Sequence, residues 1–250
     1  MFRAALIAGL ASLPLAAAAA EPSAILVEQI GAVSAVRVSQ DGTGHSAAVT
    51  QTGAAQAVVG QSGANNQATT QQNGTALSAR ISQSGAGNRA SIVQGGTGQS
   101  ATAEQNGVDN QLLLTQTGTA GVIAVGQYGA ANIAALTQTG AGATNMMALA
   151  QGGYGNAATF SQMGGGNLLS GAQAGSDNTM TLAQTGSGSA LGASQIGDGN
   201  TLNFSQGGGT AGSVTQMGQG LSLGFSQGAG SVPITILQTA AGTFGLPKGK

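Results

Sequence analysis

Residues 83–94 read Gln-Ser-Gly-Ala-Gly-Asn-Arg-Ala-Ser-Ile-Val-Gln, and variants of this pattern follow one another along nearly the whole chain. Glutamine occupies twenty such positions, from Gln29 to Gln238. Of the nineteen intervals between them, sixteen are eleven residues long, two are ten and one is thirteen. Eighteen of these twenty glutamines have glycine two positions later. A short fixed period is the signature of a stacked repeat protein, so the pattern predicts a rod of similar units.

Apolar residues occur four and two positions before the glutamines, as Ala90 and Ile92 do before Gln94. After the first glutamine, only Gly212 interrupts the first apolar column, and only Thr70 and Gly171 interrupt the second. This period of two predicts β-strands of about five to six residues with one buried face. No charged residue occupies these inward positions, so the charges are expected on the surface or in turns.

The glutamines share one strand position, so their side chains are expected to stack on one another and to form hydrogen bonds from rung to rung. We therefore predict a structural ladder formed by Gln61, Gln72, Gln83, Gln94, Gln105, Gln116, Gln127, Gln138, Gln151, Gln162, Gln173, Gln184 and Gln195.

Glycine-rich segments such as residues 85–88 separate the strands, and both glycine and asparagine tolerate the positive φ angles of tight turns. One asparagine recurs in alternate turns, mostly 22 residues apart, which makes the structural unit strand-turn-strand-turn. The sequence thus predicts an all-β fold, a flattened β-solenoid of about ten such units with two parallel sheets. The predicted turn asparagines are Asn66, Asn88, Asn110, Asn132, Asn156, Asn178 and Asn200.

The termini differ from the repeats. Residues 1–20 combine Arg3 with an apolar run and a final stretch of alanines, which predicts a secretory signal peptide and an exported chain. We expect the repeat domain to span residues 21–240 and a C-terminal tail to span residues 241–250. Pro247 and Lys248 in that tail suit either a partial cap of the last unit or a frayed end.

The composition argues against several functions. Only 5% of the residues are charged and the basic ones are dispersed, so nucleic acid is not an expected partner. The chain has no cysteine and one histidine, which argues against a metal site. Asp41, His45 and Ser46 lie close together, but His45 falls in the turn column that holds asparagine elsewhere, so we predict a turn and not a hydrolase triad. We predict no enzyme, no cofactor and no small-molecule substrate.

The segments 127–138 and 151–162 follow the order Gln-x-Gly-x-x-Asn-x-Ala-x-x-x-Gln, and residues 61–72 and 83–94 fit it as well. This pattern resembles the curlin repeat of bacterial curli-type fibres. The resemblance covers nearly all of the chain after residue 20. It implies a secreted subunit of an extracellular or cell-surface functional amyloid that serves biofilm matrix, adhesion and surface colonisation. It also implies self-assembly, a nucleator subunit and export across the periplasm through an outer-membrane secretion pore.

Two questions stay open at this point. The chain has about twice the usual number of units and few tyrosines, so main subunit, nucleator-like relative and accessory protein are all compatible with it. The alternative function is a monomeric secreted β-solenoid that binds a surface such as ice or polysaccharide. That function would use Thr-x-Thr pairs, which the sequence contains at residues 50–52, 115–117 and 137–139.

Overall fold

The computed structural model describes residues 22–31, 33–140, 142 and 144–239. The predicted signal peptide and C-terminal tail therefore lie outside the described residues. Within the described ranges the chain is all β, and it contains no helix long and apolar enough to cross a membrane. Its strands β1 to β18 are Ala24–Ile30, Ala35–Thr43, Ser46–Ala64, Gln67–Ala86, Arg89–Thr97, Ser100–Val108, Gln111–Thr119, Val122–Ala130, Ile133–Gly140, Met146–Tyr154, Ala157–Met163, Leu168–Ser176, Thr179–Gln184, Ala190–Ile196, Thr201–Gln206, Ala211–Met217, Ser222–Gln227 and Ile234–Thr239.

Every strand pairing is parallel, and most pair residues 22 positions apart, such as Gln83 with Gln105. Where the sequence has a ten-residue interval the offset becomes 21, and across the thirteen-residue interval it becomes 24. The glutamines stay in register at each of these places, because the length changes fall in the corners. The predicted β-solenoid of about ten turns with parallel strands is confirmed.

The pairings form two series. The first series contains β1, the start of β3, the start of β4, and then the odd-numbered strands from β5 to β17. The second contains β2, the remainder of β3 and β4, and the even-numbered strands from β6 to β18. Because β3 and β4 belong to both series, all eighteen strands are joined in one hydrogen-bonded sheet.

The predicted strand length of five to six residues is wrong for most of the solenoid. Seven strands have nine residues, and β3 and β4 have 19 and 20. In the longer strands the pairing continues past the glutamine into the corner, and in β3 and β4 it continues through the corner, with a bulge at Ala54 and Ala55. Stacked corners can therefore pair with one another, and the glycine segments of these strands are part of the sheet.

The core consists of the apolar residues four and two positions before the glutamines, as the alternation predicted. From Ala47 to Val214 the hydrophobic residues at these positions are at most 7% exposed and form one cluster. Some hydrophobic residues that pack against this cluster are only partly buried. All of them belong to the first two or the last two strands: Val27, Val36, Val38, Leu223, Phe225, Ile234 and Ile236.

The two glycines that interrupt the apolar columns are compensated by phenylalanine. A Cβ atom on Gly171 would overlap the ring of Phe160, and one on Gly212 would lie 3.1 Å from Cζ of Phe204. In each pair the phenylalanine belongs to the first series and the glycine to the next strand, in the second series. A large side chain therefore fills the space left by a small one, which keeps the core packed.

Thr70 breaks the second apolar column without compensation. It is 1% exposed, and its hydroxyl has no hydrogen-bond partner. Thr70→Val should raise the free energy of unfolding by about 1 kcal/mol, because it replaces an unpaired buried hydroxyl with a methyl group of similar size. Chemical denaturation measures this change. Thr69→Val on the outward side of β4 is the control and should change stability by less than about 0.5 kcal/mol; an equal gain at both sites would contradict the interpretation.

Candidate functional site: the amide ladders and the open ends

The glutamine side chains form a continuous hydrogen-bonded ladder in each series. Nε2 of each glutamine donates to Oε1 of the glutamine in the next paired strand, at 2.7–3.1 Å. The first ladder runs from Gln29 to Gln227 and the second from Gln40 to Gln238. All thirteen glutamines named from the sequence lie in these ladders, and each is at most 3% exposed. Every amide points the same way along the solenoid axis.

Most of these glutamines also donate across the solenoid. Nε2 of Gln83 donates to the carbonyl of Gln67 at 2.9 Å, and Nε2 of Gln105 donates to the carbonyl of Arg89 at 3.0 Å. In both cases the acceptor starts a strand of the first series while the glutamine lies in the second. Both amide hydrogens and the amide oxygen are thereby satisfied in a buried site, where an unpaired group costs about 1–3 kcal/mol.

The seven predicted turn asparagines form a third ladder at the corner that follows each second-series strand. From Asn88 onward, each Nδ2 donates to Oδ1 of the preceding asparagine at 2.9–3.1 Å, and that Oδ1 also accepts the backbone N–H of the next asparagine. All seven are fully buried. The corner is thus held by side chains as regularly as the strands are.

Glycine two positions after the second-series glutamines from Gln40 to Gln216 makes this corner possible. Gly107 has a φ of 131°, and a Cβ atom there would overlap the carbonyl oxygen of Gly129 in the next rung. That same oxygen accepts a hydrogen bond from Nδ2 of Asn110 at 3.0 Å. The sequence indicated only that glycine permits a turn. The close approach of successive rungs and the hydrogen bond from asparagine to the glycine carbonyl depend on stacking, which a single repeat does not reveal.

Comparison with known proteins agrees with this geometry. Residues 63–96 match the family model of the curlin-associated repeat. This segment is similar to the curlin repeat. Over these residues, the match confirms the resemblance drawn from the sequence. A search among curated proteins found no significant match to the chain.

The other corner of each 22-residue unit is less regular. Its buried column contains Gln99, Asn145, Asn167, Ser189 and Thr210. Asn167 and Ser189 each donate a backbone N–H to Oδ1 of the preceding asparagine at 3.0–3.1 Å, whereas Oε1 of Gln99 has no partner. The sequence pattern did not predict this second column, because its residue type changes from unit to unit.

His45 begins the asparagine column, as its position in the turn predicted. It is 1% exposed; Nδ1 accepts the backbone N–H of Asn66 at 3.3 Å, and Nε2 lies 3.1 Å from the backbone oxygen of Asp41. Ser46 is exposed, on the opposite side of the strand from His45. The three residues therefore do not form a hydrolase triad. The described residues also hold no group of three or more potential metal-ligating His, Cys, Asp or Glu side chains.

The exposed side chain of Tyr128 has a shifted pKa. Tyr128 lies across Gly126, where an added Cβ atom would be 3.0 Å from its ring. Slight desolvation, the negative charge of Glu104 and a hydrogen bond to that carboxylate raise the pKa of Tyr128 above its usual value. The tyrosine thus stays neutral at physiological pH and covers a glycine on the sheet surface.

The glutamine ladder can be tested by removing one amide. Gln105→Leu keeps the approximate volume but leaves Nε2 of Gln83 without its acceptor and Oε1 of Gln127 without its donor. We expect the free energy of unfolding to fall by about 2–4 kcal/mol, measured by chemical denaturation. Gln71→Leu removes an exposed glutamine and should be nearly neutral. Comparable losses at the two sites would show that the ladder does not stabilise the fold.

The asparagine ladder can be tested by changing a donor to an acceptor. Asn110→Asp removes the Nδ2 donor to Asn88 and to Gly129 and sets a carboxylate against both oxygens. Stability at neutral pH should fall by at least about 2 kcal/mol, since a buried acceptor loses its donor and a charge is desolvated. Asn106→Asp introduces the same charge at an exposed position and serves as control. Thermal unfolding of the two variants compares them directly, and equal melting temperatures would refute the role of Asn110.

Proposed function

We propose that this protein is a secreted structural subunit that polymerises end to end into extracellular curli-like amyloid fibres, which act in biofilm matrix, adhesion and surface colonisation. The curlin repeat supports the proposal, because its family comprises structural subunits of extracellular curli fibres and is not known for enzymes. The observation that carries it is the incomplete burial of the core at the two ends of the solenoid.

We also propose that the two pairing series form two facing parallel sheets. The glutamine amides donate from one series to strand-start carbonyls of the other. The rings of Phe160 and Phe204 fill space beside glycines of the opposite series. Both observations support an arrangement in which the inward sides of the two series lie against each other across a narrow core.

Each end of the solenoid exposes core side chains that interior rungs bury. At the N-terminal end Ile25 is 40% exposed, and Val27 and Val36 are only partly buried. At the C-terminal end Phe225 and Ile236 are only partly buried, although their interior counterparts Phe204 and Val214 are 2% and 1% exposed. A second copy stacked in the same register would bury both surfaces, and such contacts do not close on themselves, so they produce a filament.

The ladder ends are also complementary. Because every amide points the same way, Gln29 and Gln40 turn their Oε1 acceptors toward the N-terminal end. Gln238 turns its amide nitrogen toward the C-terminal end, and Nε2 there donates only to the carbonyl of Ser222. The N-terminal end of one copy therefore suits the C-terminal end of another, with the glutamine ladder of the second series continuing from Gln238 to Gln40.

In this proposal the ladder glutamines and turn asparagines are structural residues that set the register of both the subunit and the fibre. Residues 1–20 would direct export, and a nucleator subunit and an outer-membrane pore are the further partners that the family resemblance implies. The choice between main subunit, nucleator-like relative and accessory protein stays open.

The alternative of a monomeric surface-binding solenoid receives less support. Thr115 and Thr117 of β7 are in register with Thr137 and Thr139 of β9, which gives a small threonine grid. The earlier pair, Thr50 and Thr52, faces Gln71 and Asn73 in the next strand. Among the described residues, Thr-x-Thr segments lie side by side on adjacent strands only at β7 and β9, which is a small area for binding ice or a polysaccharide.

Polymerisation can be tested with an inward charge at one end. The chain from residue 21 onward should form thioflavin-positive fibres with cross-β diffraction at micromolar concentration. Val38→Lys should stop elongation while leaving a β-rich rod, because Val38 faces the open end and a charge there cannot be buried by the next copy. Ser39→Lys changes the adjacent outward residue and should assemble normally. Wild-type rods that remain monomeric in the presence of seeds would contradict the proposed function.

A further inference from the structure

The outward surface of the second series changes character along the axis. Strands β8, β10, β12, β14 and β16 contain no charged residue. We call the outward residues of these five strands the apolar face. At the strand start or directly after the glutamine, each strand contributes to it one large apolar side chain that is 42–50% exposed, namely Tyr128, Met146, Leu168, Ile196 or Met217, and β10 adds Tyr154 at its end.

The same side of the solenoid is charged nearer the N-terminus. Arg37 and Asp41 in β2, Arg80 in β4 and Glu104 in β6 face outward there. Charges on an exposed sheet discourage association, since each must be desolvated when another surface covers it. The apolar face lacks this protection over five consecutive rungs, so it is the part of this surface that can be covered at least cost.

The apolar face is not flat. Apart from Tyr154, its large side chains stand at the strand starts or just after the glutamines, and small residues such as Ala148, Ala172 and Gly192 lie between them. Two open depressions of ≈ 450 and ≈ 350 Å³ follow this line and share Ser170 as a lining residue. The surface is a shallow trough along the solenoid axis, flanked by apolar ridges.

We propose that the apolar face is a lateral interface at which two stacks of this chain pair side by side. The inference rests on the proposed function, because it concerns the polymer. The occupant is a second copy because one large apolar side chain, on one side of the trough or the other, recurs in each rung, at a spacing of about 4.8 Å. Only a surface with the same spacing can match five successive rungs, and an identical face rotated by a two-fold axis has it. The ridges of one copy then enter the trough of the other.

The apolar face of a single subunit is too small for stable pairing, so pairing depends on the end-to-end stacking of subunits. Five rungs of about 4.8 Å and seven residues of about 3.3 Å give roughly 550 Å² per copy, or about 1,100 Å² for a pair. This is less than the roughly 1,600 Å² of a standard stable interface. Two single subunits should therefore associate weakly. In two parallel stacks the contact is repeated in every subunit, and the additional contacts are intramolecular, so pairing becomes strong.

Leu168→Lys and Ile133→Lys form a matched pair for the test. Both residues begin their strand, and they are 47% and 50% exposed, but Ile133 lies on the outward side of the first series. Fibres of each variant and of the wild type are compared by mass per unit length in scanning transmission electron microscopy. We expect the wild type and Ile133→Lys to have twice the value of a single stack. Leu168→Lys should fall twofold, to a single stack, with unchanged fibre yield; Met146→Lys should behave in the same way.

Each outcome decides a different claim. Wild-type fibres with the mass of a single stack would overturn lateral pairing and leave the proposed function intact. Double-mass fibres in both lysine variants of the apolar face would overturn the assignment of the interface to this face. Wild-type protein that forms no fibres would overturn the proposed function and, with it, the pairing.

Discussion

The structure depends on one constraint: a buried glutamine amide must find a donor and an acceptor, and here identical amides supply the donor from the preceding rung and the acceptor from the following rung. Each Nε2 donates to the Oε1 that follows it, as Gln105 does to Gln127. An isolated unit could not satisfy such a group in an apolar core. The amides are therefore stable only in a stack, which makes the repetition of the sequence a physical requirement. The same requirement operates at the ends, where the pairing is incomplete until another copy arrives.

Changes in repeat length fall in the corners and leave the glutamine ladders in register. A ten-residue interval shifts the offset to 21 between Gln51 and Gln72, and the thirteen-residue interval raises it to 24 between Gln127 and Gln151. The side-chain hydrogen bonds across these steps are 2.7 and 2.9 Å, within the range of the regular rungs. Length can change where the chain turns, whereas a slip within a strand would exchange its buried and exposed sides.

The sequence predicted the features that repeat at a fixed position. The strand columns, the parallel solenoid of about ten turns and the 22-residue unit followed from periodicity, because one strand face must be apolar throughout. Other features depend on contacts between rungs and between series. Three examples are the space beside Gly171 that Phe160 fills, the continuation of β3 and β4 through their corners, and the mixed buried column that includes Gln99. No pattern within a single repeat identifies which residue of a neighbouring strand compensates for it.

The most direct test of in-register stacking is a set of distances along one outward column. Spin labels replace Ser39, Ser82 and Ser194, which lie in one outward column of the second series. Two strand-to-strand steps separate Ser39 from Ser82, and five separate Ser82 from Ser194. Pulsed electron paramagnetic resonance, with labelled chains diluted in unlabelled ones, should give narrow distributions near about 24 Å for 82–194 and about 34 Å for 39–194. Broad distributions, or distances that do not grow with the number of steps, would contradict the account.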